Sequence, residues 1–210
     1  MAMMMRDVRG PAVAIPIVGG LLSVMLVAGR PRAQAAAPPL VQASDLAYIG
    51  AFRLPAGGDN EHTFKYGGRG LAFDARNGGL WMIGHDQQQW IAEVGIPTPS
   101  PSTTLADLPR AALLEDWRDR LAGSMGPIGQ SGIFVGGILP WGDGNGLVVS
   151  GFVYYDASKK QKTTHVRIGA DGEVSGPYRV GKAPGLTAGY MAPIPAEWQA
   201  ALGGPALTGQ

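Results

Sequence analysis

Gly70-Leu71-Ala72-Phe73-Asp74-Ala75-Arg76-Asn77-Gly78-Gly79-Leu80-Trp81-Met82-Ile83-Gly84 is the stretch on which the fold turns. Two short apolar runs flank Asn77-Gly78, the strongest short-range hairpin signal, because both residue types tolerate positive φ. A third run, Trp90 to Ile96, follows at similar spacing, so the three predict one antiparallel unit. Upstream, Tyr48 to Leu54 alternates well enough for a further strand stopped by Pro55, and Gly57 to Gly67 reads as a polar loop.

The pattern returns later in the chain. Ile133–Leu139, Gly146–Tyr155, Thr163–Ile168 and the region Val174–Val180 read as strands, joined through Asp143-Gly144-Asn145-Gly146, the polar stretch Asp156–Lys162 and Asp171-Gly172. Between the two groups the period changes. Ile96–Thr104 is too rich in Pro, Ser and Thr for regular structure, after which Leu113, Leu114, Trp117 and Leu121 fall on one helical face. Asp107 as cap, Pro109 in the first turn and the pair Asp116/Arg120 one turn apart complete the prediction of a short inserted helix, stopped by Gly123 and Gly126-Pro127.

The expectation is therefore an all-β fold: a partial β-propeller of about two four-stranded antiparallel blades, with a β-sandwich as the alternative. Glycine, 33 of 210 residues, is about twice its average usage of ~7% and falls between the apolar runs, as tight turns require. The tail Ala196–Leu202 predicts a helical turn leading into a loop, Gly203–Gln210. Because a closed propeller needs four or more blades, the reading expects a domain over 47–210 that continues beyond the present C-terminus.

The N-terminus has the layout of a signal peptide over residues 1–35. Arg6 and Arg9 precede an apolar run, Ala12–Ala28, and Ala33 and Ala35 satisfy the small-x-small rule for cleavage, with Ala37 as an alternative. A Pro/Ala-rich lead over 36–46 follows. Pro16, Gly19 and Gly20 break the apolar run, which is shorter than the ~20 residues of a spanning helix. Arg30 and Arg32 leave an uncleaved membrane anchor as the alternative. The expected location is periplasmic or extracellular. Cleavage removes four arginines and one aspartate, taking the formal charge from +1 to −2, so no nucleic-acid partner is expected. Membrane contact is expected only if the leader stays on. With no cysteine, the exported chain relies on its core alone.

Candidate chemistry is sparse. His85-Asp86 at a strand end is the weak catalytic candidate, since a carboxylate can orient an imidazole for general-base work, although neighbours on a strand face opposite ways. His62, beside Asp59, Asn60 and Glu61, is a candidate ligand-binding residue set against a solvated turn. Trp141, between Pro140 and Gly142, is the aromatic expected in a loop and open to a sugar ring; Trp81, Trp90, Trp117, Tyr154 and Tyr155 are expected to fill cores. His165 reads as a surface strand residue. Gly176–Lys182 mimics a phosphate loop but has Ala183 where the hydroxyl belongs, and Gly129-Gln130-Ser131 lacks the second glycine of a nucleophile elbow. No metal site and no cofactor are expected: HExxH is missing, and Asp143–Gly146 lacks the closing Glu of a calcium loop.

Tyr66–Asp74, Leu80–Asp86 and Ala92–Pro97, with Tyr154-Tyr155-Asp156 and Glu197-Trp198 to Gly204-Pro205, resemble uncharacterised secreted bacterial β-propeller-like proteins, over their N-terminal portion. The resemblance implies the propeller fold and brings no activity with it. The expected function is a propeller-like binding or scaffold protein holding a glycan or protein ligand. The alternative is an extracellular hydrolase or lyase acting on a carbohydrate or related substrate.

Overall fold

A computed structural model of the chain describes residues 40–59, 62–121, 124, 133–142 and 146–209. The signal peptide, the helix stop at Gly126-Pro127, the Gly129-Gln130-Ser131 stretch and the turn Asp143–Asn145 lie outside the described residues. The chain divides into two units, Met1–Asp45 and Leu46–Gln210. Of the first, residues 40–45 form an exposed single turn in which the Asp45 carboxylate accepts the Gln42 N–H at 2.8 Å. No helix among the described residues is long and apolar enough to cross a membrane.

The second unit is all-β apart from one short helix and 3₁₀ turns. Its first sheet joins β1 (Leu71–Asp74), β2 (Gly79–Ile83), β3 (Ile91–Gly95) and β4 (Leu113–Arg118) in sequential antiparallel order. Its second joins β5 (Ile133–Trp141), β6 (Gly146–Val153), β7 (His165–Ile168) and β8 (Val174–Tyr178) in the same way. A small hairpin, β9 (Met191–Pro193) with β10 (Ala206–Thr208), encloses α1 (Ala196–Leu202). The expected hairpins are present: Gly78 takes φ 64° between β1 and β2, and Gly172 takes φ 84° between β7 and β8.

The inserted helix is not. Residues 113–118 are β4, and only Leu105–Asp107 coil, as one 3₁₀ turn. β3 explains why. All but its last residue are buried, so both edges must find hydrogen-bond partners, and β4 supplies those β2 does not. That demand outweighs the helical propensity of Ala-Leu-Leu-Glu, and exposure along β4 alternates, with Trp117 buried and Asp116 and Arg118 exposed. Arg120 correspondingly pairs with Glu115, at 2.5 Å, instead of Asp116.

Two further expectations are corrected. Residues 48–54 form no strand; they make single bridges, Ala51 to Ser100 and Arg53 to Arg110, along the 100–111 connection. The tail is not all loop, since Ala206–Thr208 pairs with β9.

Alternation along the strands makes the layers. Trp81, Ile83 and Ile91 from the first sheet meet Val135, Ile138, Leu147, Val149, Val166 and Ile168 from the second in one buried cluster. The other face of the first sheet, with Met82 and Val94, is covered by Phe52, Leu54 and Phe64. The other face of the second sheet mixes polar and apolar side chains and is covered too. There the buried Ser150 hydroxyl contacts the carbonyls of Ala188 and Gly189 at 3.0 and 3.1 Å, holding the segment that leads into β9.

Candidate functional site

His85 and Asp86 stand in the turn between β2 and β3, which closes when the Gln89 N–H donates to the His85 carbonyl at 2.9 Å. Their side chains do not meet. The His85 Nδ1 accepts the Gln87 N–H at 3.1 Å, and its ring stands edge-on to Tyr66. The Asp86 carboxylate pairs at 2.7 Å with Arg69, whose guanidinium lies 5.5 Å from the centre of the Phe134 ring on the second sheet. The sequence reading missed the residue that does most here. Gln89, buried and at φ 59°, accepts the Val135 N–H at 2.8 Å and donates to the Asp86 carbonyl, tying the turn to β5. The run Gln87-Gln88-Gln89 was the only signal, and nothing in it distinguishes the glutamine that turns inward.

His62 donates its Nδ1–H to the Asp59 carboxylate at 2.9 Å and stands edge-on to Trp90 and Trp117 with ring centres 5.4 and 6.1 Å away. That bond is the main cause holding the Asp59 carboxyl below its usual range. Asn60 and Glu61 lie outside the described residues. Trp141 is not in a loop: it ends β5, half-buried, opposite Gly146. Tyr154 and Tyr155, expected to fill cores, are each 77% exposed, and Tyr66 is more open still at 84%.

His165, expected at the surface, is 5% exposed. Alternation did put it on the face of β7 opposite Val166, but residues 187–208 cover that face. Thr208 donates its hydroxyl to the Thr187 carbonyl at 2.8 Å and so must accept from His165 Nε2–H, at 2.9 Å. Nδ1 is left to accept from the Thr164 hydroxyl at 2.7 Å. Both ring nitrogens are satisfied with the imidazole neutral, and burial pushes its pKa down.

At one end of the layer between the sheets, acids and arginines interlock. Burial alone would push the Asp74 carboxyl up, but its bonds from Arg76, at 2.9 and 3.0 Å, and from Trp81 Nε1 hold it below its usual range. Burial raises Glu93, whose two oxygens receive the Asn77 amide at 3.2 and 3.1 Å. Arg120 lies over the Trp81 ring at 5.1 Å. A cleft of about 310 Å³ opens beside them, lined by Arg76, Arg118, Arg120 and Glu115. Two of its three guanidinia already hold carboxylates. The cluster ties the strands of the first sheet to one another more than it awaits a ligand.

A groove of about 550 Å³ differs. It runs between the β6–β7 loop and the segment after β8, and Lys159, Lys162, Arg179 and Lys182 line it against one acid, Asp156. None of the four cations pairs with a carboxylate among the described residues. Arg179 donates to the carbonyls of Gly181 and Lys182, and Lys162 to that of Lys159. Asp156 is occupied by the backbone N–H groups of Lys160 and Gln161, at 2.7 and 2.8 Å, which hold its carboxyl low. The loop is anchored from beneath by Gln161, 3% exposed, which accepts the Val153 N–H and donates to the carbonyls of Gly151 and Thr163. In the sequence the basic residues form two groups about twenty positions apart, and strand pairing alone unites them.

Among the described residues no three His, Asp or Glu side chains gather as a metal cluster would. Comparisons with protein-family models, with curated proteins and with solved structures find no match to this chain. The fold by itself defines an all-β protein of two sequential four-stranded antiparallel sheets and a small hairpin.

Proposed function

We propose that this chain is an exported, propeller-like binding or scaffold protein working in the periplasm or outside the cell. The supporting observation is the arrangement of β1, β5 and β9. Each opens a strand unit, and β5 packs against β1 and against β9. In a propeller one edge of every blade borders the central channel, so opening strands of successive units become neighbours in chain order. A sandwich needs only two layers and gives no reason for the third. The three strands border an open cavity of about 650 Å³, where Leu71 and Phe73 are each 58% exposed, as suits a surface that further blades would flank. The leader over residues 1–35 supports export.

The hydrolase or lyase alternative draws less support, because Gln87 and Arg69 engage His85 and Asp86 separately. Crystallography of the protein as its cell makes it tests the fold: β1, β5 and β9 should border one channel. Two sheets closed face to face, with no unit continuing past β9, would overturn the reading. Mass spectrometry of the N-terminus tests export, with a start at or just beyond Ala36 expected and a retained Met1 counting against it.

A further inference from the structure

We propose that the groove between the Tyr154–Lys162 loop and the Arg179–Leu186 segment binds a chain of carboxylated sugars, a polyuronate. This deepens the exported binding-module reading and rests on it for the setting in which such a polymer is met.

Charge is the first argument. Four cations converge with no carboxylate to neutralise them, and the one acid nearby has both oxygens taken up by its own loop. Such a concentration of one sign attracts an anion and speeds its capture. Three of the four are lysines, compact charges on flexible stems that tolerate variation in where each carboxylate falls along a polymer.

Shape and surface favour a sugar over other polyanions. Tyr154, Pro184 and Leu186 also line the groove, and Tyr154 and Leu186 are 77% and 63% exposed. A ligand must therefore offer apolar faces as well as negative charge. A pyranose ring bearing a carboxylate offers both, its C–H face against the tyrosine and its acid toward a lysine. A bare phosphate chain leaves the apolar part uncovered. A nucleic acid needs several open rings for successive bases, whereas of the two rings lining this groove only Tyr154 is exposed, Phe152 being half-buried and stacked on Phe134. The volume lies within the range of small-ligand sites, enough to hold a short stretch of a longer chain. The site is also built in advance, because the buried Gln161 and the capped Asp156 fix the loop without any ligand.

Titration of polygalacturonate against the full chain, with whatever N-terminus the cell leaves on it, provides the test; dextran and a polyphosphate of matched charge run beside it. Polygalacturonate should bind, dextran should not, and affinity should fall as salt rises. The combined variant Lys159→Gln, Lys162→Gln, Arg179→Gln and Lys182→Gln should weaken binding about tenfold or more, the sum of four modest exposed contacts. Tyr154→Ala should weaken polygalacturonate and leave polyphosphate unchanged. If the combined variant misfolds by near-ultraviolet circular dichroism, the single reversal Lys182→Glu takes its place. Polyphosphate binding as tight as polygalacturonate, or a folded variant that binds like the parent, overturns the proposal. Absence of polygalacturonate binding in a chain starting at Ala36 overturns this ligand and leaves the exported module standing. Binding that the variant abolishes, in a chain retaining Met1, supports the groove and counts against export.

Discussion

The imidazole of His165, closed between two threonine hydroxyls, links a local hydrogen-bond pattern to a property of the whole molecule. Burial favours its neutral form, so its pKa in the folded chain lies below the unfolded value of about 6.5. Acid then drives the unfolded state, which takes up the proton first. The contribution of His165 to stability is complete above about pH 6.5 and is lost as pH falls through the lower folded value. Melting temperature should hold steady above about pH 6.5 and decline as pH falls below it. His165→Gln should flatten that decline; an unchanged slope in the variant would assign it elsewhere. The sequence placed His165 correctly on one side of its strand, but whether that side is wet depends on a segment more than twenty residues downstream.

Among the elements, β5 carries the most connections, since it touches β1, β9 and, through Val135, the turn at Gln89. Its pairing with β6 shifts register between Val135 and Gly137. At Gly136 the backbone comes so close to the covering segment that a Cβ would fall 1.5 Å from the Ala188 carbonyl oxygen. Gly136→Ala must push that segment away, and an equilibrium denaturation curve should show a loss of about 1–3 kcal/mol, the usual cost of overpacking. Gln89→Ala acts on the other side of the strand. It leaves the buried Val135 N–H without its acceptor, and the same measurement should show about 1–3 kcal/mol. A change below about 0.5 kcal/mol for Gln89→Ala would mean that the junction between the sheets does not depend on it. Neither position was legible beforehand, because glycine and glutamine carry no hydrophobic pattern and their roles are set by what packs against them.

For the molecule as a whole, the two sheets share one apolar layer, with an acid and arginine cluster at one end of it. Glu93 is the cost of that arrangement, a fully buried carboxylate that among the described residues accepts from the Asn77 amide. Because burial holds its pKa above the ordinary value, Glu93 weakens the fold as pH rises from that ordinary value, and the cost is complete above the raised one. Glu93→Gln should therefore raise the melting temperature at pH 7, and the gain should shrink toward pH 4, where Glu93 and glutamine are both neutral. A loss of stability at pH 7 would mean that the charge itself holds Arg76 and Asn77 in place.

The amino-acid order by itself determined the features that need only near neighbours. The Asn77-Gly78 and Asp171-Gly172 turns and seven of the eight strands in the two four-stranded sheets follow from backbone freedom at glycine and from short apolar runs, and the Ala196–Leu202 helix from its own local sequence. Tertiary structure decided what depends on a distant partner. Residues 113–118 became β4 because β3 had an open edge, Ala206–Thr208 became β10 because Met191–Pro193 lay beside it, and His165 became dry because residues 187–208 crossed it. The basic groove belongs to this second group, since its lysines and arginine converge only after β6, β7 and β8 have paired. An unpaired backbone edge or an uncovered face takes its partner from anywhere in the chain, and periodicity within one segment carries no record of that choice.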